Sequence, residues 1–415
     1  MQIYPETHLT YCTNIHPGDS WEEVIDSLQH SLSVRRKLNV QGAFGIGLRL
    51  SAKAANQLAR PQVLRSFQQW LHENDCYVFT MNGFPYGEFH GEAVKENVHA
   101  PDWTTRERVT YTKLLFDLLA QLLPAGMDGG VSTSPLSYKP AHNSPEALQR
   151  VTATSKQHVA EVLRHLADLK ATTGKSLHLD IEPEPDGLLE NSTDFIDFYH
   201  SMLKLEDSGL TEPQIREHLA LCWDVCHFAV AYEKPAEVLA TILGNGIRVG
   251  KLQISAALKA DLTEDRNKVH DALIPYDEPI YLHQAALLNA TGQITQFPDL
   301  GPALQVMKDA RYTELRTHFH VPIYTDSYGV LKSTNDAIAE TLKLWRAQPF
   351  THHFEVETYT WDVLPNHQRL SLTDSITREL TWVINQLPND TGAATKASHT
   401  TSKPAKRAKS PVQAH

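Results

Sequence analysis

Asp224 and His227 stand three residues apart in the run 221–230, LCWDVCHFAV, whose other members are mostly apolar. A buried, ionised carboxylate needs a cation or a strong donor beside it. Spaced Asp-x-x-His, one strand end can deliver two ligands to one centre. The alternative is an Asp–His hydrogen bond that supports the loop. A second carboxylate stands in LHLDIEPEP. Leu177, Leu179 and Ile181 face one way, and His178, Asp180 and Glu182 the other. Pro183 breaks the strand, which leaves Glu182 at its rim, free to bind metal or substrate or to form a salt bridge. Asp180 and His178 lie deeper and read as structural.

Three further stretches repeat the pattern. VGKLQISAAL puts Lys251, Gln253 and Ser255 on one face, where Gln253 can contact a substrate or ligate through oxygen. THFHVPIY puts His318 and His320 on one face, an H-x-H pattern suited to a metal or a substrate. HHFEVETYTW puts Glu355, Glu357 and Tyr359 together. Glu357, nearest the strand end, is the candidate ligand, and Glu355 supports it or points deeper. His283, in YLHQ, is a further candidate substrate contact.

The segment 81–103, MNGFPYGEFHGEAVKENVHAPDW, is rich in Gly and aromatic residues and reads as a substrate cover. Asn82, His90 and Lys95 are its candidate substrate contacts, with surface roles as the alternative. Lys95 and His90 suit an anionic or hydroxylated ligand. Arg49, ending GIGLR, is a candidate anion contact.

Those residues need elements to place them. Short β-branched, apolar runs at 9–15, 43–50, 77–82, 129–132, 177–182, 219–225, 249–255 and 354–359 alternate mostly with amphipathic helix patterns such as WEEVIDSLQHSL. Eight strands in that rhythm predict an α/β fold, a (β/α)8 TIM barrel, whose active sites gather at the C-terminal strand ends. An open doubly wound sheet is the competitor, and no G-x-G-x-x-G follows the first strand to favour it. The rhythm breaks at about 256–350, read as an insertion, a hairpin or lid, before the last strand. One barrel domain over 1–388 and a disordered basic tail over 389–415 complete the expected organisation.

The 415 residues hold 38 basic and 49 acidic groups, a net charge of −11. Residues 391–415 hold five of the basic groups and no acid, so the body is the more acidic part. That balance argues against a nucleic-acid partner and suits a small-molecule or carboxylate-built metal site. No stretch has the apolar length of a transmembrane helix, and no secretory signal is visible. The four cysteines read as buried free thiols in a reducing compartment, which implies a cytoplasmic protein.

Taken together, Glu182, Asp224-x-x-His227, Gln253, His318-x-His320 and Glu357 resemble the ligand series of the xylose isomerase-like TIM barrels. The longer motifs YCTNIHPGDSW, NGFPYGEFHG, VKENVHAPDW, IEPEP, DVCHFAVAYE, HFHVPI and ETYTW resemble the bacterial family called metabolite traffic protein EboE, over nearly the whole chain. That family's gene cluster is associated with moving secondary-metabolite precursors, so the resemblance implies protein partners from the same cluster.

The resemblance also implies a ligand set. In the superfamily's sugar epimerases, two glutamates, an aspartate and a histidine hold one divalent cation. They fall here on Glu182, Asp224, Gln253 and Glu357, with Gln253 in place of histidine. His320 is a further candidate ligand. An oxygen-rich set favours Mn²⁺ or Mg²⁺ over Zn²⁺. The same substitution is compatible with a weakened or absent metal. His227 matches a substrate-contacting histidine in the epimerases and a zinc ligand in the endonuclease group. His318 and His320 resemble the latter's D-x-H pair.

Three functions follow as expectations. The first is a divalent-metal-dependent isomerase or epimerase of a sugar-like or polyol molecule, with Glu182 and Glu357 as the proton-transferring groups. The second is a barrel that binds or transfers a metabolite without turnover. The third is a multinuclear zinc phosphoesterase.

Overall fold

Glycine stands at unusual places in the strands, and the computed structural model shows why. It describes residues 1–88, 95–362, 364 and 370–387. A Cβ on Gly47 would lie 1.9 Å from Glu355 Oε1. On Gly130 it would lie 2.3 Å from Asp180 Oδ2, and on Gly250 1.9 Å from Asp180 Oδ1. Missing side chains on some strands thus make room for charged side chains of others inside the sheet.

That sheet is a ring. After β1 (Gln2–Tyr4) come β2 (Thr7–Tyr11), β3 (Phe44–Arg49), β4 (Cys76–Asn82), β5 (Gly129–Thr133), β6 (Leu177–Ile181), β7 (Leu219–Asp224) and β8 (Val249–Ile254). The final strand of the chain, β15 (His353–Val356), pairs in parallel with both β8 and β2. A parallel bridge between Cys12 and Gly47 joins β2 to β3 and closes the eight strands. This is the expected TIM barrel, with β1 added as an antiparallel edge on β2. Helices cover the outside. The helix Trp21–Leu38 begins with a capping box of Ser20 and Glu23 and ends at Asn39 in the left-handed region. The 29-residue helix Pro145–Thr173 starts on Ser144 and stops at Gly174, φ 72°.

The insertion is larger than a hairpin. Six antiparallel strands fill it, β9 (Leu258–Asp261), β10 (Ala285–Asn289), β11 (Ile294–Phe297), β12 (Tyr312–Thr317), β13 (Ser327–Tyr328) and β14 (Leu331–Ser333). The helix Asn335–Ala347 then returns the chain to β15, so the barrel resumes before residue 350. The segments PIYLHQ and RTHFHVPIY lead into β10 and out of β12. The last barrel strand stops at Val356 rather than at residue 359. The Glu357 carbonyl accepts from His320 Nδ1 instead of extending the ladder. The basic tail lies outside the described residues. Among those residues, no helix is long and apolar enough to cross a membrane. All four cysteines are buried and free.

The barrel interior is polar at mid-height. Lys251 Nζ donates to Glu355 Oε2 at 2.5 Å and to Ser132 Oγ at 2.9 Å, with both charged side chains fully buried. Glu355 therefore points deeper, away from the rim. Burial alone would lower the Lys251 pKa, but Glu355 more than offsets it and keeps the ammonium charged. Lys251→Met is expected to destabilise the chain by about 3–5 kcal/mol, because Glu355 would be left buried and unpaired. Adding Glu355→Gln should recover part of the loss. Urea melts of both variants check this, and equal melts for Lys251→Met and wild type would contradict it.

Candidate functional site

Three carboxylates meet where the strands end. Asp224 closes β7, while Glu182 follows β6 and Glu357 follows β15 by one residue. One oxygen of each lies within 4.8 Å of the others, and all three side chains are buried. Asp224 also caps the short helix Val225–Val230. Its Oδ1 accepts from the His227 amide at 3.0 Å and from Ser255 Oγ at 2.6 Å. Its Oδ2 has no hydrogen-bond partner, and neither does Glu182 Oε2. Glu357 Oε1 accepts from Asn14 Nδ2 at 2.5 Å and Asn82 Nδ2 at 3.1 Å. Gln253 pairs in register with Asp224 and with Glu355, and lies against Glu357.

Three imidazoles form the next layer. His227 Nδ1 is 2.9 Å from the Pro183 carbonyl, and His320 Nδ1 is 2.7 Å from that of Glu357. Carbonyl oxygens only accept, so both Nδ1 atoms carry the proton. His318 Nδ1 lies 2.9 Å from Gln284 Oε1. The Gln284 amide is oriented by its donation to the Pro185 carbonyl at 3.0 Å, so His318 donates as well. All three Nε2 atoms are then bare lone pairs, 3.2 Å apart between His227 and His318 and 3.1 Å between His318 and His320. Lone pairs that converge on one another fit a cation between them. Glu184 or Asp224 completes two such sets, Glu184–His227–His318 and Asp224–His227–His320. Cys226 also has its sulfur within reach of His318 and His320.

The donor chemistry thus fits divalent metal in two adjoining sets, one of carboxylates and one of imidazoles, with Asp224 common to both.

Burial sets the protonation. It pushes Glu357 up to about 8, with Asp224 adding to the rise, and raises Glu182, Glu184 and Asp224 as well. It lowers His227 to about 3 and His320 to about 4, and His318 well below the usual value. A carboxyl group with a raised folded pKa gives its full stability below the unfolded value near 4.5. It loses that stability as the pH rises through the folded value. The depressed histidines act oppositely and destabilise the fold as the pH drops below 6.5. Above pH 6.5 the histidines are neutral in both states, so metal-free protein is expected to lose stability as the pH rises further. From there to pH 8 it should lose about 1.4 kcal/mol per pH unit through Glu357 alone. Saturating Mn²⁺ should abolish the decline, since it favours the ionised carboxylates. Denaturant melts at the two pH values with and without Mn²⁺ measure it, and a metal-free stability that rises over this interval would contradict it.

The cleft above these groups is about 520 Å³, open mouth included. Phe84, Tyr281 and Tyr359 give it aromatic walls, and Asn14, Asn82 and His318 add polar contacts. Of the expected residues, Glu182, Glu357, His227, His318, Asn82 and Lys95 line it. Asp224, Gln253 and His320 lie beneath. Lys95 is not a free cation, because Nζ is 2.7 Å from Asp299 Oδ2 and 3.2 Å from the Glu278 carbonyl. Arg49 departs from expectation. Buried at the end of β3, its guanidinium donates to the carbonyls of Gly18 and Gly87, and it does not line the cleft. His283 sits behind His318, bonded to its carbonyl at 3.0 Å and to Glu278 at 2.6 Å, so it braces a contact rather than making one. His90 lies outside the described residues. Sequence reasoning missed Glu184, although the alternation of IEPEP contains it, and Asn14, one turn beyond β2. Gln284 carried no pattern at all.

No family model matches the chain, and a search of curated proteins finds no match. Similar solved structures do exist. A xylose isomerase-like TIM barrel protein from Mycobacterium smegmatis, in complex with magnesium, is 11% identical, with a TM-score of 0.50 over 93% of this chain and 98% of that one. The IolI protein with a bound zinc atom is 13% identical, with a TM-score of 0.48 over 91% and 98%. The probable 3-DHS dehydratase AsbF from Bacillus anthracis is 10% identical, with a TM-score of 0.45 over 90% and 97%. At these identities the likeness is one of fold, a TIM barrel shared with the Mycobacterium smegmatis protein.

Proposed function

We propose that the protein is a divalent-metal-dependent isomerase or epimerase of an uncharged, sugar-like or polyol molecule. The observation that carries this reading is the buried triad of Glu182 and Glu357, which line the cleft, with Asp224 beneath them. A divalent cation held there would polarise a carbonyl and its neighbouring hydroxyl. Glu182 and Glu357 reach the same point from different strands, so one can take a carbon-bound proton and the other return it. A raised Glu357 pKa, about 8, suits a group that must exchange a proton near neutrality. Asn14 and Asn82 hold the Glu357 carboxylate in place. Phe84, Tyr281 and Tyr359 offer the flat apolar faces that sugars stack on, and the cleft's lysine is neutralised by Asp299. Both points support an uncharged ligand. A role in secondary-metabolite processing, alongside proteins of an EboE-type cluster, belongs to the same proposal and rests on the sequence motifs.

The decisive experiment is carbon–deuterium exchange. Protein purified without chelator should carry divalent metal by elemental analysis. In D₂O it should introduce deuterium at a carbon of a converted sugar or polyol. Stoichiometric binding of such ligands with no exchange and no product would replace this reading with that of a binding barrel. A second catalytic reading, a multinuclear metal hydrolase, is favoured by one observation, the three converging imidazole lone pairs. Two or more metal ions per chain and cleavage of phosphate esters would select it.

A further inference from the structure

A separate cluster of ligating groups sits at the other end of the barrel, where the strands begin. Asp128 immediately precedes β5 and Arg248 immediately precedes β8. His178 is the second residue of β6 and His353 the first of β15. His353 Nε2 lies 3.2 Å from Asp128 Oδ1, and His178 Nε2 lies 3.7 Å from Asp128 Oδ2. One ligand atom from each of the three residues falls within 4.8 Å of the others.

Two observations distinguish this cluster from an ordinary polar patch. His178 Nδ1 lies 2.5 Å from Asp180 Oδ1, so an ionised Asp180 takes the Nδ1 proton's hydrogen bond and leaves Nε2 as a lone pair. That Nε2 is fully buried, makes no hydrogen bond and faces the Asp128 carboxylate. A carboxylate behind a histidine whose far nitrogen is bare is the arrangement that orients a metal ligand. Secondly, the space is built. Gly130 and Gly250 leave room for the Asp180–His178 pair, and a Cβ at either would lie within 2.7 Å of a His178 ring atom. Two strands have given up side chains to seat this pair.

We propose that Asp128, His178 and His353 form a metal site for Zn²⁺, distinct from the carboxylate and imidazole sets of the cleft. Two imidazoles and one carboxylate suit zinc, which imposes no geometry of its own and commonly takes such donors. A fourth position is reachable by water, because the Asp128 side chain is 27% exposed. Arg248 pairs with Asp128 Oδ2, so the metal would take Oδ1 and replace the proton it now shares with His353 Nε2. Its positive charge opposes the ion and weakens the site. A zinc bound here would tie β6 and β15 to the start of β5, across the ring rather than along it.

The test is zinc retention by the full chain, stripped with chelator, reloaded with Zn²⁺ and passed through a desalting column. Asp128→Asn and His353→Gln keep side-chain size. Each is expected to retain one zinc equivalent fewer than wild type, whatever the cleft holds. Arg248→Met leaves every ligand in place and should bind this zinc about tenfold more tightly. Cobalt substitution adds a spectroscopic readout, since the tetrahedral absorption contributed by this site should be missing from both ligand variants. The proposal is overturned if folded Asp128→Asn and His353→Gln retain the wild-type zinc content. Should both fail to fold, an unchanged or weaker zinc affinity in Arg248→Met overturns it instead.

Discussion

Glu357→Gln is expected to lower turnover of a converted substrate by about 10³-fold while leaving the fold intact. The glutamine carbonyl oxygen can still accept from Asn14 and Asn82, which now donate to Glu357 Oε1. What disappears is the carboxylate charge beside Asp224 and Glu182. The same change relieves a buried acid whose pKa stands at about 8, so metal-free Glu357→Gln should be more stable than wild type at pH 8. Lost turnover with gained stability is a pairing that a merely structural glutamate would not give. Single-turnover rates and thermal melts on one preparation read both. Wild-type turnover in this variant would remove Glu357 from the chemistry.

Asp224→Asn should weaken divalent-metal binding by at least about 10²-fold, and it should do so in both donor sets at once. Ligand loss exceeds the 10- to 100-fold effect of removing an outer-shell partner. The asparagine oxygen can keep the bonds from the His227 amide and Ser255, so the helix it caps should survive. Its amide nitrogen would then stand where Oδ2 offers lone pairs. Mn²⁺ and Zn²⁺ titrations followed by calorimetry separate the two sets. Loss of one metal with the other unaffected would show that Asp224 is not shared between them.

The barrel was legible because its strands carry polar residues with a period of two and end at marked places. Glu182 before Pro183 and Asp224 before His227 fall where those patterns put them, whereas Glu357 lies just beyond a strand expected to run to residue 359. The insertion was not legible as a sheet. Its strands are short, and its two most visible segments lie outside the strands they lead to. His318 and His320 were found by their spacing, yet they follow β12 rather than belonging to it. Their convergence is set by Gln284 and by the Glu357 carbonyl, partners remote in sequence. Arg49 misled for a related reason. An arginine at a strand end looks available until the carbonyls of Gly18 and Gly87 are seen to occupy it. Lys95 reads as a substrate contact or a surface residue because its partner Asp299 lies 204 residues away.

The six-stranded insertion has a consequence for how the chain could be altered. The carboxylates Glu182, Asp224 and Glu357 belong to the barrel, whereas His318, His320 and the Gln284 that aims His318 all arrive with the insertion. Oxygen donors and two of the three nitrogen donors are thus carried on separable pieces of chain. Replacing residues 258–333 with a short loop would leave the oxygen set in its ring and remove most of the nitrogen set in one step. The donors open to a metal would then depend on which piece is attached.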